Sequence, residues 1–387
     1  MSKNYLLFFL YFLFSLGVYS QLTLSDKAEV SIITAGKGEV LYEAFGHSAI
    51  RIKDPKKGFD LIYNYGIFDF NAPNFYSNFV KGRLLYQLRS YDFKYFIYGY
   101  KKDNRWVKEQ ILNLNHEEKQ AYLNFLEENV LPKHRNYLYD PFFNNCASKL
   151  RDITKSVLQE KVVFNNSHLE KKLSFRTLMN RELHYNSWGS IGINIALGSK
   201  LDAIANPLEY MYLPSYVMQG FNNATNNTNA LILKETTLLN YKPKHIKNSI
   251  FNPLIIITLL SLFGGFITHK DFKNKKRTKL IDFLIFFVSG VVGVLIVFLW
   301  FFTNHSTTPN NFNFLWAFAP NLVVAFLLLK KRPPLLLKYY LTIVMIFLLA
   351  IPIIWVFKIQ VFHWYLLPFI LLFFYRALFL KKYLLTS

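Results

Sequence analysis

The chain has 387 residues, of which 52% are hydrophobic, and 45 Lys and Arg outnumber 24 Asp and Glu to give a formal net charge of +21. Its one cysteine, Cys146, excludes an internal disulfide. The positive charge does not indicate nucleic acid as a partner, because the segments described below place the chain outside the cytoplasm or in a membrane, next to anionic head groups.

The first twenty residues have the layout of a secretory signal peptide. A short basic start, MSKN, precedes the apolar run YLLFFLYFLFSLGV, and residues 18–20 provide a small-residue cleavage site. The alternative is an uncleaved first membrane helix, which is disfavoured because the run is short for a hydrocarbon core of about 30 Å. We therefore predict a signal peptide over residues 1–20 and an exported chain after it.

Residues 21–216 are predicted to form an exported α+β domain. Three strand-like segments come first, EVSIITAG, GHSAIRIKD and FDLIYNYGIF, and a DPKKG turn joins the last two. The segment LLYQLRSYDFKYFIYGY is predicted to be further strand. Asn115 is then predicted to cap a helix, and a second helical pattern begins near Cys146. The Asn-rich GFNNATNNTN indicates a polar linker over residues 217–249.

Five apolar spans follow residue 250, and their lengths suit membrane helices. Basic residues cluster in the loops after the first and third spans and after the fifth, whereas the loop TNHSTTPNN has none. Positive residues stay on the cytoplasmic side, so the domain before the spans is placed outside. Residues 250–380 would form an all-α five-helix transmembrane domain, and residues 381–387 a cytoplasmic tail. The spans are residues 250–268, 281–302, 312–329, 339–357 and 361–380.

Cys146 lies where a helix N-terminus would stabilise a thiolate. Asn144 and Asn145 precede it as capping residues, and the unpaired amides and dipole of a helix start favour the anionic sulfur. The same amides, with an Asn side chain, could stabilise an oxyanion. The alternative is a buried cysteine that only packs the helix, and the position alone favours neither.

His47, in the sequence GHS, is the candidate base for this thiol. A strand-borne imidazole that faces a helix-borne thiol occurs in cysteine hydrolases and acyltransferases. The predicted hairpin brings residues near 64 and 65 opposite His47, so Asn64 is predicted to orient the imidazole, with Tyr65 and Asp69 in reserve. Asn64 could equally be a polar turn or edge residue. No paired metal-ligand spacing and no Gly-rich phosphate loop is present in the sequence, so no metal or organic cofactor is predicted.

A set of motifs runs through the whole chain: GHSAIRI, YNYGIFDF, KGRLLYQL, YDPFFNNCASKLRD, SFR and LPSY, followed by the membrane tail with its loop HSTTPNNFNFLW. Together they resemble those of Lnb-type bacterial lipoprotein N-acyltransferases. Ser148 stands where the family often has Thr. The His-before-Cys order also resembles the permuted NlpC/P60 papain-like fold, the group that includes lecithin:retinol acyltransferase.

The resemblance implies a multi-pass enzyme of the bacterial inner membrane with its catalytic domain in the periplasm. The enzyme would move an acyl chain from a phospholipid to the α-amine of a diacylglyceryl-cysteine lipoprotein, through a thioester on Cys146 and with His47 as base. Asn144, Asn145 and Tyr65 are predicted to shape the site. The aromatic segment YNYGIFDFNAPNFYSNF could bury acyl chains, although core packing is the alternative for many of its rings.

One outer loop of the membrane tail is predicted to lie on the same side of the membrane as the catalytic domain. Its polar and aromatic residues are candidates for a lipid-facing mouth, with a plain interfacial loop and a Trp anchor as the alternative. These candidates are His305, Asn311, Asn313 and Trp316.

Two other functions remain open from the sequence. An exported papain-like cysteine hydrolase acting on peptidoglycan or peptides would use the same Cys-His pair, but it would not need five helices as an anchor. A non-catalytic membrane assembly protein would not need a unique thiol at a helix start.

Overall fold

The structure is a computed structural model that describes residues 22–169, 171–243 and 248–386. The predicted signal peptide, residues 1–20, lies outside the described residues. Ten strands occur in the described chain, and seven of them form one antiparallel sheet in the order β10-β5-β1-β2-β3-β4-β6. In chain order the strands are β1 Glu29–Ala35, β2 His47–Asp54, β3 Phe59–Ile67, β4 Leu85–Asp92, β5 Val107–Leu112, β6 Asn136–Leu138, β7 Val162–Phe164, β8 Ala224–Asn226, β9 Asn229–Ala230 and β10 Ile232–Leu239.

Seven helices accompany these strands in the N-terminal domain. One face of the sheet packs against α3, α4 and α7, which contribute Tyr122, Leu150 and Phe221 to a shared core, and the other face packs against α2 through Phe93 and Phe96. The domain is therefore an α+β layered structure, as the sequence predicted. The helices are α1 Phe75–Val80, α2 Phe93–Lys102, α3 His116–Val130, α4 Cys146–Leu158, α5 Phe175–Glu182, α6 Trp188–Ala196 and α7 Pro214–Asn222.

The predicted hairpin between β2 and β3 is confirmed. Its turn is closed by Asp54, whose carboxylate accepts hydrogen bonds from the backbone amides of Lys56 and Lys57, both at 3.1 Å. Gly58 completes the turn at φ 75°, in the left-handed region that favours glycine. The hairpin pairs Ile50 with Tyr63, and this register fixes which residues of β3 lie near the start of β2.

The prediction of strand over residues 84–100 is wrong in its second half. β4 ends at Asp92, and α2 follows at once. The rings of Phe93, Phe96 and Tyr100 recur at helical spacing, with Phe93 and Phe96 buried against the sheet. This 3.6-residue period decides the structure of the segment over the β propensity of its aromatic residues.

The predicted polar linker over residues 217–249 is also wrong for most of its length. Val217 and Phe221 are buried on α7, Leu231 is buried between β9 and β10, and β10 forms an edge of the main sheet beside β5. The asparagines of this stretch occupy the turns, as Asn227 does at φ 52°. The domain therefore continues to residue 239.

The C-terminal part of the chain contains four helices long and apolar enough to cross a membrane among the described residues. The third predicted span, residues 312–329, is not a continuous helix: a 3-10 turn, Phe312–Leu315, leads to a short helix. With eight residues that helix is roughly 12 Å long, too short for a core of about 30 Å. The helices are α8 Pro253–Asn274, α9 Lys279–Phe301, α10 Asn321–Leu328, α11 Leu337–Val356 and α12 Leu367–Thr386.

The break in the third span has a local cause. Pro320 immediately precedes α10. The backbone before it packs against Gly293 of α9 and the first turn of α10 packs against Gly290, and a Cβ atom on either glycine would collide with that backbone. Irregular backbone at membrane depth is tolerated where protein buries it. The prediction of five membrane helices is therefore not confirmed, because this passage is built from two short pieces.

Candidate active site

Cys146 is the first residue of α4, and Asn145 caps the helix. The Asn145 side-chain oxygen accepts hydrogen bonds from the amides of Ala147 and Ser148, both at 2.9 Å, and the Ser148 hydroxyl accepts from the Asn145 amide at 2.9 Å. This reciprocal pair is a capping box with Ser in the third position. The cap fixes the start of α4, and it thereby fixes the thiol.

Asn144 and Asn145 do not present free amide groups to the site. The Asn145 NH₂ donates to the carbonyls of Pro141 and Tyr212 at 2.7 and 2.8 Å, and the Asn144 NH₂ donates to the Leu138 carbonyl at 2.7 Å. The expectation that an Asn side chain here would donate to an oxyanion therefore does not fit the structure. Both residues position the loop that leads to Cys146.

His47 is the first residue of β2, opposite Ala35 of β1. Gly46 before it has φ 78°, and a Cβ atom there would lie 2.7 Å from the Ala35 carbonyl oxygen. Only glycine fits this turn without strain. The turn places the imidazole beside the Cys146 thiol, close enough for each group to shift the pKa of the other.

Asn64 contacts the other side of the same imidazole. Its side-chain oxygen lies 2.6 Å from Nε2 of His47, and its NH₂ donates to the Tyr91 hydroxyl at 2.8 Å. Asn64 is buried, so both partners hold it in one orientation. With Nε2 bound to Asn64, Nδ1 is the ring nitrogen left to face Cys146.

The thiol and the imidazole favour the charged pair. Burial raises the pKa of Cys146, but the His47 charge, the hydrogen bond from His47 and the amides of Ser48 and Ala147 outweigh burial and lower it below its ordinary value. Burial lowers the pKa of His47, yet the charge of Cys146 and hydrogen bonds to Cys146 and Asn64 raise it overall. The site can therefore hold a thiolate beside an imidazolium.

β3 passes close to the thiol through Gly66. This residue has φ 91° at a β-bulge between Asn64 and Ile67, and a Cβ atom on it would lie 3.6 Å from Cβ of Cys146 and 3.8 Å from Cε2 of Tyr139. The absence of a side chain at this position keeps space beside the sulfur and a tyrosine ring.

Of the two reserve residues, only Tyr65 lies near the site. Its ring is buried 6.0 Å from the Tyr137 ring, and its hydroxyl has no hydrogen-bond partner within the described chain. Asp69 is exposed and accepts a hydrogen bond from the Asn71 amide within its own turn. Asp69 therefore has no contact with the imidazole.

The predicted mouth residues divide into two groups. His305 is half-buried, and its neighbour Ser306 donates a hydrogen bond to Asp140 in the loop that leads to Cys146. Asn311, Asn313 and Trp316 are instead buried, so the structure contradicts an exposed lipid-facing position or a plain Trp anchor for them.

These three buried residues belong to a polar network that joins the two domains. Asn311 donates to the carbonyl of Ile195 at 2.7 Å, and Asn313 accepts from the Trp316 indole at 2.9 Å. Asp202, paired with buried Arg176 at 3.0 Å, accepts from the backbone amide of Val361 in the membrane domain. The network fixes the catalytic domain on the membrane domain.

Sequence reasoning assigned no role to Tyr91, Gly66 or Arg176. Tyr91 could be found only from the pairing of β3 with β4, which no local pattern reveals. Arg176 lies in the SFR motif, but its ion pair joins segments far apart in the chain. No group of three or more His, Cys, Asp or Glu residues suited to a metal ion occurs in the described part of the chain.

Comparison with known families matches both domains. The model of the Lnb N-terminal periplasmic domain covers residues 20–181, and that of the Lnb transmembrane domain covers residues 245–386. No curated protein and no solved structure matches the chain. Together the two matches span most of the sequence. The chain thus belongs to the Lnb family, as a multi-pass inner-membrane enzyme that modifies lipoproteins and carries its N-terminal domain in the periplasm.

Proposed function

We propose that this protein transfers an acyl chain from a phospholipid to the α-amine of a diacylglyceryl-cysteine lipoprotein, through a thioester on Cys146. The observation that carries the proposal is the contact of Cys146, His47 and Asn64 at the start of α4. The loop after α9 touches this site through the bond from Ser306 to Asp140, so the thiol lies next to the membrane domain.

In the first step the Cys146 thiolate attacks the carbonyl carbon of a phospholipid acyl ester. The ester C–O bond breaks, the acyl group remains on sulfur as a thioester, and the departing glycerol oxygen takes a proton from the His47 imidazolium. A lysophospholipid leaves. The Ser48 amide, which helps to lower the pKa of Cys146, is the candidate donor for the oxyanion, because the Ala147 amide already donates to the Asn145 side chain.

In the second step the lipoprotein amine attacks the thioester carbonyl. His47, now neutral, accepts a proton from the nitrogen as the amide bond forms, and the C–S bond breaks to restore the thiolate. Asn64 holds the imidazole in place through both steps. Burial of Cys146 among tyrosine rings limits hydrolysis of the thioester before the amine arrives.

The order of the catalytic elements supports a permuted NlpC/P60 papain-like fold for the periplasmic domain. His47 lies on a strand early in the chain, and Cys146 follows at the N-terminus of a helix packed on that sheet. A secretory signal peptide at residues 1–20 stays part of the proposal.

A two-stage assay with the purified full-length protein in bilayer nanodiscs tests the proposal. Incubation with phospholipid alone should add an acyl mass to the peptide that contains Cys146, and a diacylglyceryl-cysteine peptide should then remove it and become N-acylated. Cys146→Ala should show neither mass. A wild-type protein that leaves the amine free and instead cleaves peptides or peptidoglycan would establish the cysteine hydrolase.

A further inference from the structure

The short helix α1 is apolar, yet it buries none of its residues. Together with the turn before it, α1 exposes four large apolar side chains: Phe70 by 53%, Tyr76 by 69%, Phe79 by 48% and Val80 by 49%. A contiguous exposed patch of this kind marks a surface that binds something apolar.

The position of α1 indicates what covers it. The residue after α1, Lys81, accepts a hydrogen bond from the Asn304 amide at 2.8 Å. Gly82 packs so closely on the same loop that a Cβ atom would lie 2.5 Å from the His305 amide nitrogen. Because this loop begins where the membrane-spanning helix α9 ends, at Phe301, α1 lies at the periplasmic surface of the bilayer.

A continuous row of aromatic rings connects α1 to the thiol. The Phe79 ring lies 6.2 Å from Phe75, Phe75 lies 5.8 Å from Phe68, and Phe68 lies 4.9 Å from Tyr86. Tyr86 then stacks on Tyr139 at 4.4 Å. We call these five residues the aromatic row.

The inner end of the row is beside the nucleophile. Tyr139 and Cys146 both lie against the space left by Gly66, with Cε2 and Cβ at 3.8 and 3.6 Å from the position of its absent Cβ. The row thus leads from exposed rings at the membrane surface to the buried sulfur.

We propose that the acyl chain under transfer lies along the aromatic row, and that α1 dips into the outer leaflet to admit it. The inference rests on the proposed acyl transfer and adds to it the surface that selects the chain. A chain whose carbonyl is at Cys146 would extend past Tyr139 and Tyr86 toward α1, with apolar contact along its length.

The chain lengths that the enzyme transfers test this assignment. Full-length protein in nanodiscs receives a mixture of phospholipids with short, medium and long acyl chains, and mass spectrometry measures the chains on the acceptor peptide. Phe75→Trp, which enlarges a ring within the row, should lower the ratio of long to short chains at least several-fold. Phe79→Ala, at an exposed site that leaves the core intact, should slow transfer of long chains most.

Tyr98→Ala is the matched control, because Tyr98 is an aromatic residue of α2 with 68% exposure that lies outside the row. Its chain-length ratio should equal that of the wild type. Unchanged ratios and rates in both row variants would overturn the assignment while leaving the acyl transfer intact.

A phospholipid with a photoreactive group at the end of its acyl chain gives a readout that does not need turnover. After irradiation, cross-links should map to residues 68–80. Cross-links confined to the membrane helices, or links between two copies of the chain through α1, would overturn the assignment. A wild-type protein that transfers no chain in the first assay but cross-links here would refute the proposed function and keep α1 as a lipid contact.

Discussion

Two buried polar clusters in this protein pair their charges in the same way, but one is structural and the other is proposed to be catalytic. Near the cytoplasmic ends of α8 and α9, Arg376 of α12 binds Asp282 at 2.6 Å and Asp271 at 2.7 Å, and Arg277 lies 3.3 Å from Asp282. At the periplasmic site, His47 lies between Cys146 and Asn64. In both clusters every buried charge has a partner, because an unpaired one would be too costly.

The two clusters differ in whether a charge can be given up. Arg376 also donates to the carbonyl of Thr278 at 3.0 Å, so fixed, forked hydrogen bonds hold its guanidinium in a structural cluster. In the proposed mechanism the thiol and imidazole exchange one proton between them. On that proposal, the cluster whose partners can both change protonation state is the reactive one, and the arginine cluster is structural.

His47→Ala should have the largest effect of the variants proposed here, and this effect should be on the rate of acyl transfer and not on stability. Loss of the base should lower the rate of acyl transfer by about 10²- to 10⁴-fold, because the thiolate loses its positive partner and the leaving oxygen loses its proton donor. Thermal unfolding should change little. The N-acylation rate of a lipoprotein peptide measures the first quantity, and His134→Ala, at an exposed residue, serves as the control.

Arg376→Met should lower stability and leave activity nearly unchanged. Removal of the guanidinium leaves two carboxylates with reduced compensation, which should lower the free energy of unfolding by about 3–5 kcal/mol. Activity per folded molecule should stay near the wild-type level. Thermal unfolding in detergent micelles checks this, with exposed Arg332→Met on the same side of the membrane as the control.

A second substitution makes the electrostatic cause testable. Adding Asp282→Asn to Arg376→Met removes one uncompensated charge and should recover part of the lost stability. If Asp282→Asn instead lowers the free energy of unfolding further in the Arg376→Met background, lost packing rather than charge explains the effect.

The sequence predicted those parts of the structure that local signals determine. Strands β1 to β3, the Asp54 turn and the cap of α3 at Asn115 are confirmed. The same kind of signal placed Cys146 at a helix start, and hairpin spacing placed Asn64 near His47, where the structure has them in contact. Their catalytic roles remain a prediction.

Features that depend on distant parts of the chain were missed. β10 folds because β5 offers it an edge, and the break before α10 is stable because α9 packs against it. The pairs of Arg176 with Asp202 and of Arg376 with Asp282 join residues that no local pattern links. Composition identified an Asn-rich stretch and an apolar span, but tertiary contacts decided their conformation.

Asn64→Ala should have a smaller effect than loss of the base. The imidazole would keep its contact with the thiol but lose the acceptor that orients it, which should lower the transfer rate by up to about a hundredfold. Asn64→Asp keeps an acceptor and should recover most of the rate. Tyr91→Phe, which removes only the partner of the Asn64 NH₂, should cost less than Asn64→Ala; an equal or larger loss would make Tyr91 the main orienting group.

The smallest effect expected is a shift in the pH dependence of thiol alkylation. The pKa of Cys146 lies below its ordinary value of 9.0 chiefly because the charge and hydrogen bond of His47 overcome burial, so alkylation by iodoacetamide should begin at correspondingly lower pH. Replacing His47 by Ala removes that charge, and burial then raises the pKa. Alkylation should therefore move to higher pH in His47→Ala, measured by mass spectrometry as the labelled fraction against pH. An unshifted profile would mean that the helix amides alone stabilise the thiolate, and that the periplasmic cluster does not work as an exchangeable ion pair.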